Sequence, residues 1–254
     1  LHTAHVKEPS DTMQFYFIRH AQSQNNARYF ETGSSQGRSE DPDLSPTGYE
    51  QAPYLARFLR QSAPARSRAV PDWNPQNVSG FGITHLYCSL MLRAVATGTV
   101  VAQALDLPLI VWADLHEVGG IVHHGDAPGE RTPLPGKNRA YFETHYPDLV
   151  LPEWLGAKGW WSRPYEEREQ RPHRARRFLN DLLDRHGDSD HRVAVISHGA
   201  FFSYLMHVIL ELPGTPPPWF HMGNTAITRI DFSEDRIGVS YMNNTVHLPR
   251  DLIT

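Results

Sequence analysis

Apolar residues along the chain fall into short runs separated by longer polar stretches, and the runs differ in period. Residues 14–18 (QFYFI), 83–89 (ITHLYCS) and 192–197 (RVAVIS) are rich in aromatic and β-branched side chains, which predicts buried strands. Residues 107–115 (LPLIVWADL) predict a further, edge-like strand. Between these lie helical patterns at 47–62, opened by Pro46, and at 92–105 and 200–212. Pro53 sits inside the first of them as a candidate kink. Residues 165–187 are laced with charge and predict an exposed helix, interruptible at Pro172 and ended near Gly187. AITRIDF (226–232) and RIGVSYM (236–242) predict a closing hairpin about a Ser-Glu-Asp turn. Strands alternating with helices give the fold class α/β, a three-layer α/β/α arrangement with a mostly parallel central sheet.

Two stretches break the pattern. Residues 63–80 are rich in Ser, Pro, Arg and Asn and predict a loop. From about 119 to 164, Gly, Pro, His and Trp dominate, with too little periodic apolar sequence to bury a centre of its own. That segment predicts a lid-type insertion over the core, not a second domain. Residues 1–12 are polar and are expected to be a disordered leader, a processed end or appended residues, with a single domain over 13–254.

Composition narrows the setting. The 254 residues are 40% hydrophobic, enough for a substantial core, and no apolar run reaches the roughly 18 residues of a membrane helix. A formal net charge of −4 argues against a general polyanion binder, so no nucleic-acid partner is expected and any anion site must be built locally. Cys88 is the sole cysteine, which excludes an intrachain disulfide and a Cys-based zinc site. With no signal-peptide pattern, a reducing cytoplasmic location is expected. The oligomeric state is left open.

Candidate chemistry sits at strand ends, where ligands bind in open parallel sheets. FYFI stops at Arg19-His20, THLYCS leads to Arg93 at a helix start, and AVIS stops at His198-Gly199. Two of these positions open helices, whose unpaired N–H groups favour an anion. Unpaired, so much positive charge would repel itself; a phosphate or sulfate dianion would neutralise it. Most of the 15 histidines read as ordinary, with His2, His5, His145, His173, His186 and His191 expected at the surface.

The segment IRHAQSQNN resembles the Arg-His signature of the histidine phosphatase superfamily, the phosphoglycerate mutase-like proteins. LSPTGYEQA (44–52), CSLMLRAVATG (88–98), the Leu-x-Glu of LHEVGG (115–120) and VISHGAFF (195–202) continue the resemblance in family order. It implies a phosphomonoester hydrolase that acts on a small phosphorylated compound through a phosphohistidine. By resemblance His20 is the nucleophile and Glu117 the proton donor. Arg19, Arg93 and His198 hold the phosphoryl group, and Asn26 adds an amide to it. Gln22 and Ser23 match no family role and are expected only to shape the loop. Ala21 stands where relatives often have Gly, and its methyl is expected to narrow the pocket. No metal or cofactor is implied, because two Arg and a His supply the electrostatics.

Three alternatives were weighed against this reading. His123-His124, with His116 and Asp114, is a weak metal-site candidate on a flexible segment. A non-catalytic phospholigand-binding protein on the same fold conflicts with the complete residue set. Mutase chemistry is disfavoured because Val118-Gly119-Gly120 follows Glu117, where phosphoglycerate mutases of the family carry an Arg and Tyr that grip the substrate carboxylate. In the insertion, Lys137, Arg139, Tyr141, Trp154, Trp160 and Trp161 are candidates to cover the pocket, which would favour a leaving group with an apolar or aromatic body; alternatively Trp160 and Trp161 anchor the loop to the core. Lys137 and Arg139 are candidates for a second anionic group of the substrate.

Overall fold

The computed structural model describes residues 12–61, 74–125, 127, 129–161, 163–213 and 218–254. The expectations for the first 11 residues and for most of the 63–80 loop lie outside them. The chain runs β1 (Met13–Arg19), α1 (Gln24–Thr32), α2 (Pro46–Arg60), β2 (His85–Cys88), α3 (Leu92–Leu105) and β3 (Leu109–Val111). It continues through β4 (Val122–His124), β5 (Arg131–Pro133), α4 (Arg139–His145), β6 (Leu149–Val150), α5 (Gln170–His186), β7 (Arg192–Ser197) and α6 (Gly199–Ile209). β8 (Ile227–Ser233) and β9 (Arg236–Asn244) close it.

A 7-stranded sheet has the order β6-β3-β2-β7-β1-β8-β9. Pairing is parallel from β6 to β1 and antiparallel for β1–β8 and β8–β9, the predicted closing hairpin. Alternation along β1 and β7 builds the layers. Phe15, Phe17, Val193 and Val195 face α5 and α6, packing with Phe178, Phe201 and Phe202. Tyr16, Ile18, Ala194 and Ile196 face α2 and α3 with Leu55, Leu59 and Val95. Burying each large apolar side chain contributes about 1.5–3 kcal/mol, so both faces must be covered.

Several elements differ from the sequence expectation. α1 lies in what read as plain polar loop. It buries no residue, so it carries no apolar stripe; Ser23 and Asn26 form a capping box at its start, and Gly33 ends it at φ 67°. β3 is not an edge, because the short β6 of the insertion pairs outside it. α5 is exposed on one side only: Ala175, Phe178, Leu179 and Leu182 are buried. Pro172 falls in its first turn, where a missing N–H is harmless, so the helix is not interrupted there. His186, expected at the surface, is buried, because the last turn of α5 carries it onto Tyr87.

The insertion is tied to the core by tryptophan. Trp160 and Trp161 are 4% and 1% exposed and join the α2/α3 cluster, whereas Trp154 is 57% exposed. Gly120 makes room: at φ 82°, a Cβ there would stand 1.9 Å from the Trp161 ring. The anchoring alternative therefore holds for Trp160 and Trp161. Trp161→Ala should destabilise by about 3–5 kcal/mol, and Trp154→Ala by less than about 0.5 kcal/mol. Denaturant unfolding of both variants checks this, and equal effects would contradict it.

Candidate active site

β2, β7 and β1 are neighbours whose carboxyl ends lie level, with Cys88 paired to Ile196 and Arg19 to Ser197. Everything that follows those ends therefore shares one edge of the sheet. His20 follows β1, Arg93 occupies the first turn of α3, and His198 is the N-cap of α6. Glu117 comes from the loop after a short 3-10 helix (Ala113–Leu115).

The rings of His20 and His198 are 5.0 Å apart. His20 Nδ1 lies 2.7 Å from the Ala21 carbonyl. A carbonyl only accepts, so Nδ1 holds the proton and Nε2 the lone pair. Arg93 Nε donates to that Nε2 at 3.2 Å. Burial, then the Arg93 and Arg19 charges, pushes the His20 pKa well below 6.5. Burial likewise pushes His198 down, with Arg93 and His20 adding to it. His20 is thus a neutral imidazole whose Nε2 lone pair accepts from the Arg93 guanidinium; the uncharged ring is the form a nucleophile requires.

Around it, buried polar nitrogens lack partners. Arg19 Nε, Arg93 Nη1 and His198 Nδ1 have no hydrogen bond. Their other groups are anchored: Arg19 Nη1 donates to the Met222 carbonyl, and His198 Nε2 lies 3.0 Å from Ser89 Oγ. Burial also disfavours the charged form of both guanidinium groups. Buried orphan donors of this kind are costly unless something accepts from them.

Glu117 sits at the N-terminus of α6. Its carboxylate accepts from the N–H groups of Phe201 at 2.9 Å, Ala200 at 3.2 Å and Val118 at 2.9 Å. Arg174 braces its loop, donating to the carbonyls of Asp114 at 2.6 Å and His116 at 2.9 Å while paired with buried Glu166. The sequence reading missed this pair, because charged residues in α5 looked like a solvated face. It also missed Asp41, whose Oδ1 accepts from Leu92 N–H at 3.1 Å and lies 3.8 Å from Arg93 Nη1. Burial raises the Asp41 pKa to about 6 against the opposing pull of Arg93. Its only sequence signal was its place just before the LSPTGYEQA block.

Asn26 is present but partly committed. Its Oδ1 accepts from Ser23 N at 3.1 Å and from Asn224 Nδ2 at 3.3 Å, so its amide NH2 is the group free to face an anion. Asn224, also missed, donates to the His20 carbonyl at 3.0 Å. Gln22 and Ser23 shape the loop: Gln22 bonds Ser45 and Gln51, and Ser23 caps α1. The Ala21 methyl does not narrow the pocket as expected. It packs with Leu44, Ala52 and Ala96 between α2 and α3. The weak metal candidate does not assemble: His123 pairs with Glu40, Asp114 with Arg177, and His116 is buried against Trp161.

The layered sheet and this edge define a phosphoryl-binding protein of one class. A profile of the histidine phosphatase superfamily (branch 1) matches residues 15–70 and 74–245, and the chain belongs to that superfamily. It is 27% identical over 237 residues to a Hydrogenobacter thermophilus protein assigned to the phosphoserine phosphatases, covering 92% of this chain and 97% of the relative. Among solved structures it resembles a mycobacterial glucosyl-3-phosphoglycerate phosphatase at TM-score 0.56 and 19% identity, covering 92% of this chain and all of that one (100%). An Entamoeba histolytica phosphoserine phosphatase solved with phosphoserine matches at TM-score 0.56 and 19% identity, over 93% of this chain and 100% of the other. These two likenesses show a shared fold.

The lowered pKa values carry a sign. His20 and His198 stay neutral as pH falls, until it passes through values well under 6.5. In the free protein, NMR titration of both rings should show no protonation near pH 6.5. Removing the Arg93 charge should move the His20 midpoint upward. A native His20 ring titrating at its ordinary value would contradict the geometry.

Proposed function

We propose that the chain is a metal-independent phosphomonoester hydrolase that passes the phosphoryl group through His20. The observation that carries this is a set of buried polar nitrogens without hydrogen-bond partners, Arg19 Nε, Arg93 Nη1 and His198 Nδ1, on three residues that neighbour His20, whose Nε2 accepts from Arg93 Nε. A phosphoryl dianion there would accept from all three. Each such donor, aimed at charge that develops in the transition state, is worth about 10²–10³ in rate.

In the first step the His20 Nε2 lone pair attacks phosphorus as the ester P–O bond breaks. Glu117, protonated, gives its proton to the leaving oxygen. In the second, Glu117 as carboxylate takes a proton from water while that oxygen attacks phosphorus. The P–N bond breaks, phosphate leaves and the imidazole regains its lone pair. The Asn26 amide NH2 joins Arg19, Arg93 and His198 on the phosphoryl oxygens. The backbone N–H groups of Ala200 and Phe201 hold Glu117 in place between the two transfers.

The substrate is a small phosphorylated compound, and a second anionic group on it suits the rim. Lys137 acts electrostatically on Asp41, and Arg38 on Arg93. Arg139 is unsuited to that task, since it donates to the Leu155 and Pro152 carbonyls and pairs with Glu143. The buried Trp160 and Trp161 leave little support for an aromatic substrate body. The relatives named for phosphoserine and glucosyl-3-phosphoglycerate act on compounds that carry a carboxylate, which supports the same reading. A cytoplasmic setting is supported by the lone, buried Cys88. Among the described residues no helix is long and apolar enough to cross a membrane.

His20→Ala should abolish turnover. Glu117→Ala should slow esters with poor leaving groups by about 10²–10⁴, and activated aryl esters far less. A panel of phosphorylated metabolites, scored by released phosphate, checks both, with carboxylated monoesters expected to lead. Robust hydrolysis by the His20 variant would overturn the reading.

A further inference from the structure

At the other end of the sheet, three histidines from separate segments converge. His85 opens β2, His191 directly precedes β7 and His186 ends α5. One ring nitrogen from each lies within 4.8 Å of the others. His186 Nδ1 and His191 Nδ1 are 2.9 Å apart, and the His85 ring stands 4.7 Å from His186 and 4.3 Å from His191 between centroids. In a tetrahedral zinc site with bonds of about 2.0–2.1 Å, neighbouring ligand nitrogens stand about 3.3 Å apart. Small ring rotations would bring these three to that spacing.

Outer partners orient the rings. Tyr87 Oη lies 3.0 Å from His186 Nε2, which leaves Nδ1 for the cluster. Thr84 Oγ1 lies 2.9 Å from His85 Nδ1, which leaves Nε2. Such hydrogen bonds fix the tautomer and direction of metal-ligating imidazoles. Arg185 opposes a cation: its guanidinium lies over the Trp112 ring, 4.1 Å from the centroid, and also hydrogen-bonds Tyr87, so the ion must bind against that charge.

We propose that His85, His186 and His191 form a binding site for a borderline divalent cation such as Zn²⁺. Three neutral nitrogens without a carboxylate suit Zn²⁺ or Co²⁺ and do not suit Mg²⁺ or Ca²⁺. Water completes the tetrahedron. The length of β7, at about 3.3 Å per residue, puts about 20 Å between this cluster and His198. The ion is therefore structural: it cross-links β2, α5 and β7 and takes no part in phosphoryl transfer. The sequence reading assigned no metal ligand, because His186 and His191 sit in polar contexts and His85 lies far from both along the chain, in a stretch read as a strand.

The test uses the full chain, stripped with EDTA and exchanged into chelator-free buffer. Co²⁺ titration should give the intense visible bands of tetrahedral coordination, and Zn²⁺ calorimetry should give one ion per chain. Zn²⁺ should raise the Tm and leave the phosphate-release rate unchanged. His85→Gln and His191→Gln should each weaken Zn²⁺ binding by at least about a hundredfold, since changing outer partners alone costs about 10–100-fold. Tyr87→Phe keeps all three ligands and should weaken it by about that outer-partner factor. Absence of the Co²⁺ bands, or native Zn²⁺ affinity in both Gln variants, would overturn the proposal. Retained binding in those variants would place the ion elsewhere.

Discussion

The constraint on which the structure turns is positive charge held out of water. Arg19 and Arg93 are carried to one sheet edge by strands that must be buried on both faces to exist at all. Burial disfavours their charge, and the chain compensates only in part. Asp41 stands by Arg93, yet is itself so buried that its pKa rises to about 6. Glu117 is the other nearby carboxylate, and it is held by backbone N–H groups at the start of α6. A site with buried donors unsatisfied and its positive charge only partly offset favours a dianion over water. Burial, and then the same two charges, keep the His20 imidazole neutral.

From that constraint the surrounding architecture takes its sense. The register between β1, β7 and β2 sets the two histidines and Arg93 level. The Ala21 carbonyl fixes which nitrogen of His20 reacts, and Ala21 N–H is itself held by Thr97 Oγ1 at 3.0 Å. Arg174 and Glu166 form a buried pair under the Glu117 loop. Replacing such a pair by apolar side chains is often neutral for stability, so its presence suggests that it positions the loop. Trp161 ties the insertion down against Gly120, three residues beyond Glu117.

Much of this was legible in the sequence, for a physical reason. FYFI (15–18) and VAVI (193–196) are apolar without interruption because both sheet faces are covered, and an Arg or His just beyond such a run is anomalous enough to notice. The segments that escaped notice lack a periodic signal. α1 buries no residue and rests on its caps, and β6 is too short to show a pattern. Asp41, Asn224 and the Arg174–Glu166 pair escaped for another reason. A buried polar residue looks like a surface one until the partner it meets in the fold is known. His186 failed in the same way, since its partners Tyr87 and His191 come from other elements.

The central claim is that the neutral Nε2 of His20 takes the phosphoryl group. The most direct measurement is rapid mixing with a hydrolysable phosphomonoester and quenching into alkali, where a phosphoramidate survives. Peptide mapping and ³¹P NMR then locate the label. The account predicts a phosphohistidine at His20, substituted on Nε2, formed before steady-state release of phosphate. Turnover without a labelled histidine, or a label on His20 Nδ1 or on another residue, would contradict it.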